Sequence, residues 1–265
     1  SIEKLRKVIS ARPGHADLAG LLKYGFNDIR NVLERASARS TVATVGIGAL
    51  CKIFLGEFDI RIFSRVLSIG GETSKDVMEA KILEAIHNKD TIGGFFEVRA
   101  KGVPIGLGSY AQADRRLESR LSQNIMSIPG IKAIEIGLGF GYAGKFGSEC
   151  HDAIYYNNKT KRYFRKTNNA GGIEGGISNG EDIVIRACMK PISTLLRPLD
   201  SVNIITKRPS KAAVERTDTC VVEASGVIAE SATAFVLADA LLEKFGGDCL
   251  GDTKANFRAY INRVR

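Results

Sequence analysis

The chain has 265 residues and is 44% hydrophobic, enough for one large core or two medium ones in a globular fold. No apolar run approaches the span a bilayer needs, and the opening SIEKLRKVIS lacks the apolar centre of a secretory signal, so a cytoplasmic location is expected. Five scattered cysteines without a C-x-x-C pair argue against a disulfide framework or a zinc site, and a net charge of +9 with pI near 9.3 favours anionic partners without choosing among nucleic acid, acidic membrane and small phosphorylated or carboxylated ligands.

Taken in chain order, Ile2, Leu5, Val8 and Ile9 repeat at helical spacing, and RPGHADLAGLLKYGFND then supplies a loop punctuated by Pro and Gly. From about Ser37 to Phe58 the sequence predicts a long helix rich in small residues. IRIFSRVLSIGG predicts a strand, SKDVMEAKILEAIHNK a helix with Ser74 as N-cap, GFFEVRAKG a strand and SYAQADRRLESRLSQNIMS a helix. IKAIEIGLGF, DIVIRACM and TLLRPLDSVNIIT are strand candidates, and two last helices start near Ser225 and Asp252. Strands and helices do not alternate strictly, which favours an α+β fold over a doubly wound one. A weak echo links ASARSTVATVGIGALCKIFLGEFD with ASGVIAESATAFVLADALLEKFGGD; chance likeness and internal duplication both explain it, and either places two small-residue helices in the interior.

Two glycine patterns invite a dinucleotide reading. GFGYAG (Gly139, Gly141, Gly144) follows a convincing strand, but KFGSECHDAIYYNNKTKRYFRK after it has no helical period, and a pyrophosphate site needs a helix starting at the glycines. GLGSYA precedes a helix, but Pro104 cuts the strand that would feed it. There is no P-loop pattern.

The polar constellations carry more. RPGHAD presents Arg12, His15 and Asp17 on a loop whose Pro and Gly fix its course, although a lone histidine there is more often structural. ERASARS sets Arg35 and Arg39 one turn apart about Ser37 at what reads as a helix start, which describes a solvated face or an anion pocket equally well. Lys190, Ser193 and Thr194 of MKPISTLLR form a donor-rich turn after a strand, and an extended ERTDTCVV would point Arg216 and Asp218 to one face, where a surface ion pair is the plain alternative.

RPGHAD, KYG, RASAR, GLGSY, TNNAGGIEGGISNGEDI, KPIST, RTDTCVV and LADALLEKFGGD, in this order from Arg12 to the C-terminal helix, resemble the chorismate synthases of the shikimate pathway. The resemblance implies a lyase of aromatic amino acid biosynthesis that converts 5-enolpyruvylshikimate 3-phosphate to chorismate by 1,4-anti elimination, with reduced FMN but no net redox change. It implies a single domain over residues 1–265: a β-α-β sandwich of antiparallel sheets enclosing helices, with internal pseudo-twofold symmetry and assembly as a homotetramer. By the same resemblance, Arg35, Ala36, Ser37, Pro129, Gly130, Gly175, Lys190, Pro191, Ile192, Ser193, Thr194 and Arg216 bind flavin, with the glycines letting backbone approach the ring. His15 is implied as the histidine beside the reduced flavin, Asp218 as the carboxylate that helps deprotonate it, and Arg39 and Ser37 as substrate ligands. His87 and His151 are read as surface residues.

Relative to that family, a segment with Gly-Glu-Ser-His-Gly and further substrate arginines is not in the sequence, so the opening strands are expected to be missing. Ser40 stands where glutamate is usual, Ala113 where tryptophan is common and Glu223 where proline is common. A catalytically incomplete FMN- or anion-binding fragment is the alternative reading; a nucleic-acid binder has only the net charge in its favour, so no nucleic acid and no membrane are expected as partners, and a separate flavin reductase is.

Overall fold

A computed structural model of the chain describes residues 7–265. Contacts divide it into two compact units. One takes the chain up to Ser40, Leu67–Gly94 and Met189–Val222, and the other takes Thr41–Val66, Phe95–Cys188 and Glu223–Arg265.

The helices are α1 (Asp17–Tyr24), α2 (Arg30–Arg35), α3 (Thr41–Gly56), α4 (Lys75–His87), α5 (Leu117–Met126), α6 (Gly147–Cys150), α7 (Val222–Phe245) and α8 (Leu250–Arg263). The strands are β1 (Arg61–Ile69), β2 (Gly94–Lys101), β3 (Ile131–Ile136), β4 (Ile154–Asn157), β5 (Arg162–Arg165), β6 (Ile173–Glu174), β7 (Ile177–Ser178), β8 (Ile183–Met189), β9 (Asp200–Val202) and β10 (Pro209–Lys211). Helices and antiparallel strand pairs coexist without strict alternation, the α+β class expected from sequence.

In the first unit, α1 and α2 close a small core of Ala11, Leu21, Ile29 and Val32, with Val8 and Ile204 against it. Helix α1 ends where Gly25 turns left-handed (φ 65°) and its N–H returns to the Leu21 carbonyl. Segment 8–11 runs along the β9–β10 hairpin: Ile204 N–H donates to Ile9 O at 2.9 Å and Ser201 Oγ to Ala11 O at 2.6 Å. The helical repeat expected from Ile2 is therefore extended chain at Val8 and Ile9, while Ile2 and Leu5 lie outside the described residues. RPGHADLAGLLKY is likewise only partly a loop, because Asp17 begins α1.

The second unit is built on a four-stranded sheet in the order β1-β2-β8-β3. Strand β8 alternates buried and half-buried residues throughout, as a period of two requires. Helix α7 lies against β1 and β2: a Cβ on Gly226 would sit 2.8 Å from Ser64 Oγ and 3.8 Å from Phe96. Helix α3 crosses α7 at Gly48, whose added Cβ would meet the Ser231 Cα at 2.5 Å.

Several expectations are corrected. The helix expected from Ser37 begins at Thr41, after a 3-10 turn over Ala38–Ser40. Of the two echoing helices only α7 is interior; α3 buries Gly48 and Leu55 and leaves Val42, Ile47, Leu50 and Ile53 exposed. Apolar side chains surround α3, so periodicity could not say which face is covered. TLLRPLDSVNIIT yields only the three residues of β9, since Pro198 cannot donate to a ladder. Ser74 takes the N-cap position of α4, but its hydroxyl makes no capping bond. Residues 30–56 and 222–245 do reach the length and hydropathy of a membrane span, against expectation. The first includes Arg30, Glu34, Arg35, Arg39 and Lys52 and is broken by the 3-10 turn, and 67% of the apolar window of the second is buried, as in a core helix.

The crossing at Gly48 predicts opposite effects for two neighbouring glycines. Gly48→Ala forces α3 and α7 apart and should destabilise by about 1–3 kcal/mol. Gly46→Ala meets nothing within 4 Å and should stabilise by about 0.5–1 kcal/mol through helix propensity. Urea unfolding midpoints of both variants test this.

Candidate active site

In the first unit, Arg12 and Asp17 form a buried pair across the RPGHAD turn. Asp17 Oδ2 accepts from the Arg12 backbone N–H at 3.1 Å and from Nε at 2.8 Å, and Oδ1 accepts from Nη2 at 3.0 Å. Nη1 of Arg12 donates to Thr194 Oγ1 at 2.8 Å, tying the turn to KPIST. His15 Nδ1 lies 2.5 Å from Asp17 Oδ1, with the imidazole partly open to solvent and the carboxylate fully enclosed. Burial pushes the Asp17 pKa up, but the hydrogen bonds from His15 and Arg12 outweigh it and hold the carboxyl well below the usual carboxylate range.

The turn between Arg12 and Asp17 needs its glycine: Gly14 has φ 77°, and its carbonyl accepts from Ser193 Oγ at 2.7 Å and from Lys190 Nζ. Lys190 Nζ also reaches Ser193 Oγ at 3.1 Å. The donor-rich turn read from the sequence is thus present, and some of its donors hold the histidine loop. Ile192 O accepts from Thr91 Oγ1 at 2.7 Å, and the neighbouring Ile92 N–H donates to Thr219 O at 2.9 Å. Through Thr91 and Ile92 the RTD segment is joined to KPIST. Arg216 and Asp218 are exposed on an irregular segment rather than an extended strand, and no ion pair joins them among the described residues. Pro191 is exposed and Thr194 buried.

Arg35 lies in the last turn of α2, not at a helix start, where a cation complements the helix dipole. Ala36 closes that helix through its N–H to Val32 O at 2.8 Å, and Ser37 Oγ accepts from the Arg39 N–H at 3.4 Å. Arg39 pairs with Glu34 at 3.0 Å on the surface.

The remaining predicted residues lie in the second unit. Pro129 and Gly130 (φ 90°) form the turn between α5 and β3, and Gly175 (φ 59°) is exposed at the tip of the β6–β7 hairpin. The glycine loop is tight mainly against its own protein. Added Cβ atoms on Gly171, Gly172 and Gly176 would lie 2.3–2.5 Å from the backbone of Gly137, Asp182 and Ser109, whereas Gly175 meets nothing within 4 Å. The sequence reading, in which the glycines clear the way for a ligand, leaves out this internal use.

Sequence reasoning missed the anchor of that loop. Asp152 accepts from the backbone N–H groups of Asn169 (2.9 Å) and Ala170 (2.8 Å) and from Thr167 Oγ1 (2.5 Å). Burial would raise its pKa; the Thr167 hydroxyl and the two amides, helped by the charge of Arg165, lower it below the ordinary range. Nothing in GSECHD, read as a polar loop, marks this carboxylate. His151 and His87 are exposed, as expected. GFGYAG forms a 3-10 turn, so no α-helix starts at its glycines.

The sequence profile described as chorismate synthase matches residues 3–242. The chain belongs to the chorismate synthase family. It is 51% identical over 263 residues to the chorismate synthase of Thermoanaerobacter pseudethanolicus, and 48% identical over 295 residues to that of Geobacter sulfurreducens; each match covers 99% of this chain and 75% of the relative. A crystal structure of chorismate synthase superposes with a TM-score of 0.79 at 40% identity, covering 94% of this chain and 76% of that one. Membership in the chorismate synthase family makes the chain a lyase acting on a small molecule in the shikimate pathway.

Acid should loosen both anchors. An unfolded aspartate titrates near about 3.9 and the folded values lie lower, so the stabilisation is complete well above pH 4 and is lost as pH falls through the folded values. Asp17→Ala, which strands the Arg12 charge, should cost about 3–5 kcal/mol at pH 7, with the gap to the parent narrowing below about pH 4; urea titrations at several pH values measure it. Asp152→Ala should speed amide hydrogen exchange at Asn169 and Ala170 while leaving α7 protected.

Proposed function

We propose that this chain converts 5-enolpyruvylshikimate 3-phosphate to chorismate, releasing phosphate and a ring hydrogen from opposite faces and leaving a new ring double bond. The observation that carries the reading is the RPGHAD–KPIST cluster, in which a buried Arg12–Asp17 pair aims a partly open imidazole beside a lysine and two hydroxyl side chains.

The residues present fit FMN as cofactor. Lys190 and Ser193 offer a cation and a hydroxyl beside Gly14, where no side chain intervenes, and Gly175 leaves open space where a Cβ would stand. Arg35, Ala36, Ser37, Pro129, Gly130, the turn from Lys190 through Pro191 and Ile192 to Thr194, and Arg216 are assigned to holding it. Reduced FMN, when bound, lends electron density as phosphate leaves, without net redox change.

His15 holds a proton at its ring and yields it near the flavin, the general acid–base role open to an imidazole. Asp218 takes up a proton on its carboxylate. Arg39 and Ser37 bind the anionic substrate, and positive charge in a site that excludes water acts more strongly than on an open surface. The working enzyme is a cytoplasmic homotetramer supplied with reduced flavin by a separate reductase, binding neither nucleic acid nor membrane.

Anaerobic mixing with reduced FMN and 5-enolpyruvylshikimate 3-phosphate should generate the absorbance of chorismate. His15→Ala and Asp218→Asn should each lower kcat by about 10²- to 10⁴-fold while flavin binding, followed by fluorescence, stays within about threefold. A variant that turns over at the parental rate removes the role given to its residue. Flavin binding without any chorismate from the parent chain overturns the enzymatic reading.

A further inference from the structure

We infer that Asp17 is a positioning residue for His15, fixing the imidazole as the tautomer with its proton on Nδ1, so that proton exchange takes place at Nε2. Only the catalytic consequence rests on the proposed role of His15; the tautomer is a property of the resting protein.

The argument is an accounting of donors and acceptors around one enclosed carboxylate. Asp17 has no exposed side-chain surface, and its two oxygens meet four nitrogens: Arg12 N and Nε on Oδ2, Arg12 Nη2 and His15 Nδ1 on Oδ1. Three of the four can only donate. An ionised carboxylate can only accept, so the nitrogen 2.5 Å from Oδ1 must also bring a hydrogen. Nδ1 therefore carries the proton, and the neutral ring keeps its lone pair on Nε2.

Among the described residues, the charged groups bonded at the ring are Asp17 and Arg12, whose Nη2 lies 3.1 Å from Nδ1 and 3.4 Å from Nε2; Lys190 is bonded to the carbonyl of the adjoining Gly14. Exchange of a proton at Nε2 leaves the Nδ1 bond that orients the ring in place. A histidine aimed by a carboxylate through Nδ1 is a general device for this purpose.

Asparagine at position 17 would reverse the arrangement. Its amide nitrogen at the Oδ2 position would confront two Arg12 N–H groups; at the Oδ1 position it would confront one, and would donate to His15 Nδ1. The second orientation is the less costly, and it forces the proton onto Nε2.

Long-range ¹⁵N imidazole spectra of the free full chain, recorded on the alkaline plateau of a pH series, read the tautomer directly. The sequence holds three histidines, and His15→Ala assigns the signal. The parent should show the Nδ1–H form and Asp17→Asn the Nε2–H form. In turnover, Asp17→Asn should lower kcat about 10²- to 10⁴-fold with the substrate KM within about threefold. A parent ring protonated on Nε2 overturns the inference even if Asp17→Asn does not fold. So does a folded Asp17→Asn protein that keeps the Nδ1–H form or the parental kcat. If His15→Ala is fully active while the parent shows Nδ1–H, the role of His15 in the proposed function fails and the tautomer assignment stands.

Discussion

One buried ion pair fixes the geometry of the histidine loop. Arg12 and Asp17 are both withdrawn from water, and breaking such a pair strands a charge at a cost of several kcal/mol. Their mutual bonds leave the intervening turn one course: Pro13 restricts φ, Gly14 supplies the left-handed step, and His15 emerges beside the carboxylate. The third branch of Arg12 then recruits Thr194, and Ser193 and Lys190 close on the Gly14 carbonyl. A segment that would otherwise sample many conformations becomes a rigid mount for one ring, held from outside by the β9–β10 hairpin at Ala11 and Ile9.

The glycine loop of the second unit obeys the same requirement with different parts. Here the charge is Asp152, and its partners are two backbone amides and the Thr167 hydroxyl, which hydrogen-bond the carboxylate without neutralising it. Asn168 works beside it, donating to Asp182 O at 2.7 Å and accepting from Gly172 N–H at 2.8 Å. Ser178, fully buried, donates to Pro104 O at 2.6 Å and accepts from Leu107 N–H at 2.8 Å, so ISNG and PIGLG are bound as one layer. Glycine is needed where these backbones cross, and only the tip at Gly175 stays open.

The sequence was most informative where pattern and burial coincide. DIVIRACM alternates and is a half-covered strand; SKDVMEAKILEAIHNK has the composition of a helix and forms one. Legibility falls where a tertiary contact decides. Helix α3 is apolar all round, so only Gly48 against Ser231 reveals its buried side. Asp17 was visible within RPGHAD, yet its partner Arg12 is also bonded to Thr194, far along the chain, which no local pattern encodes. Asp152 was invisible because two of its partners are main-chain groups of residues 169 and 170 and the third, the Thr167 hydroxyl, lies 15 residues along the chain. Arg35 was legible as a cation on either a solvated face or an anion pocket, but its position at a helix end rather than a start depended on where α2 stops.

That position bears on how a basic protein attracts an anion. Net charge says little about a site when the cations already have partners: Arg120 is shared between Asp239 and Glu243, Arg165 is held by Glu174, and Arg65 and Arg99 both lean on Glu97. Arg35 differs, because the carbonyl end of α2 accommodates its charge, and no carboxylate pairs with it among the described residues. Arg39 does have Glu34, but both side chains are largely in water, where such a pair is weak and readily exchanged for another anion. A phosphate or carboxylate arriving at RASAR would therefore meet one guanidinium with no competing side chain and a second whose partner is easily displaced. Local pairing, more than the total of +9, sets how much of the charge of this stretch is open to an anion.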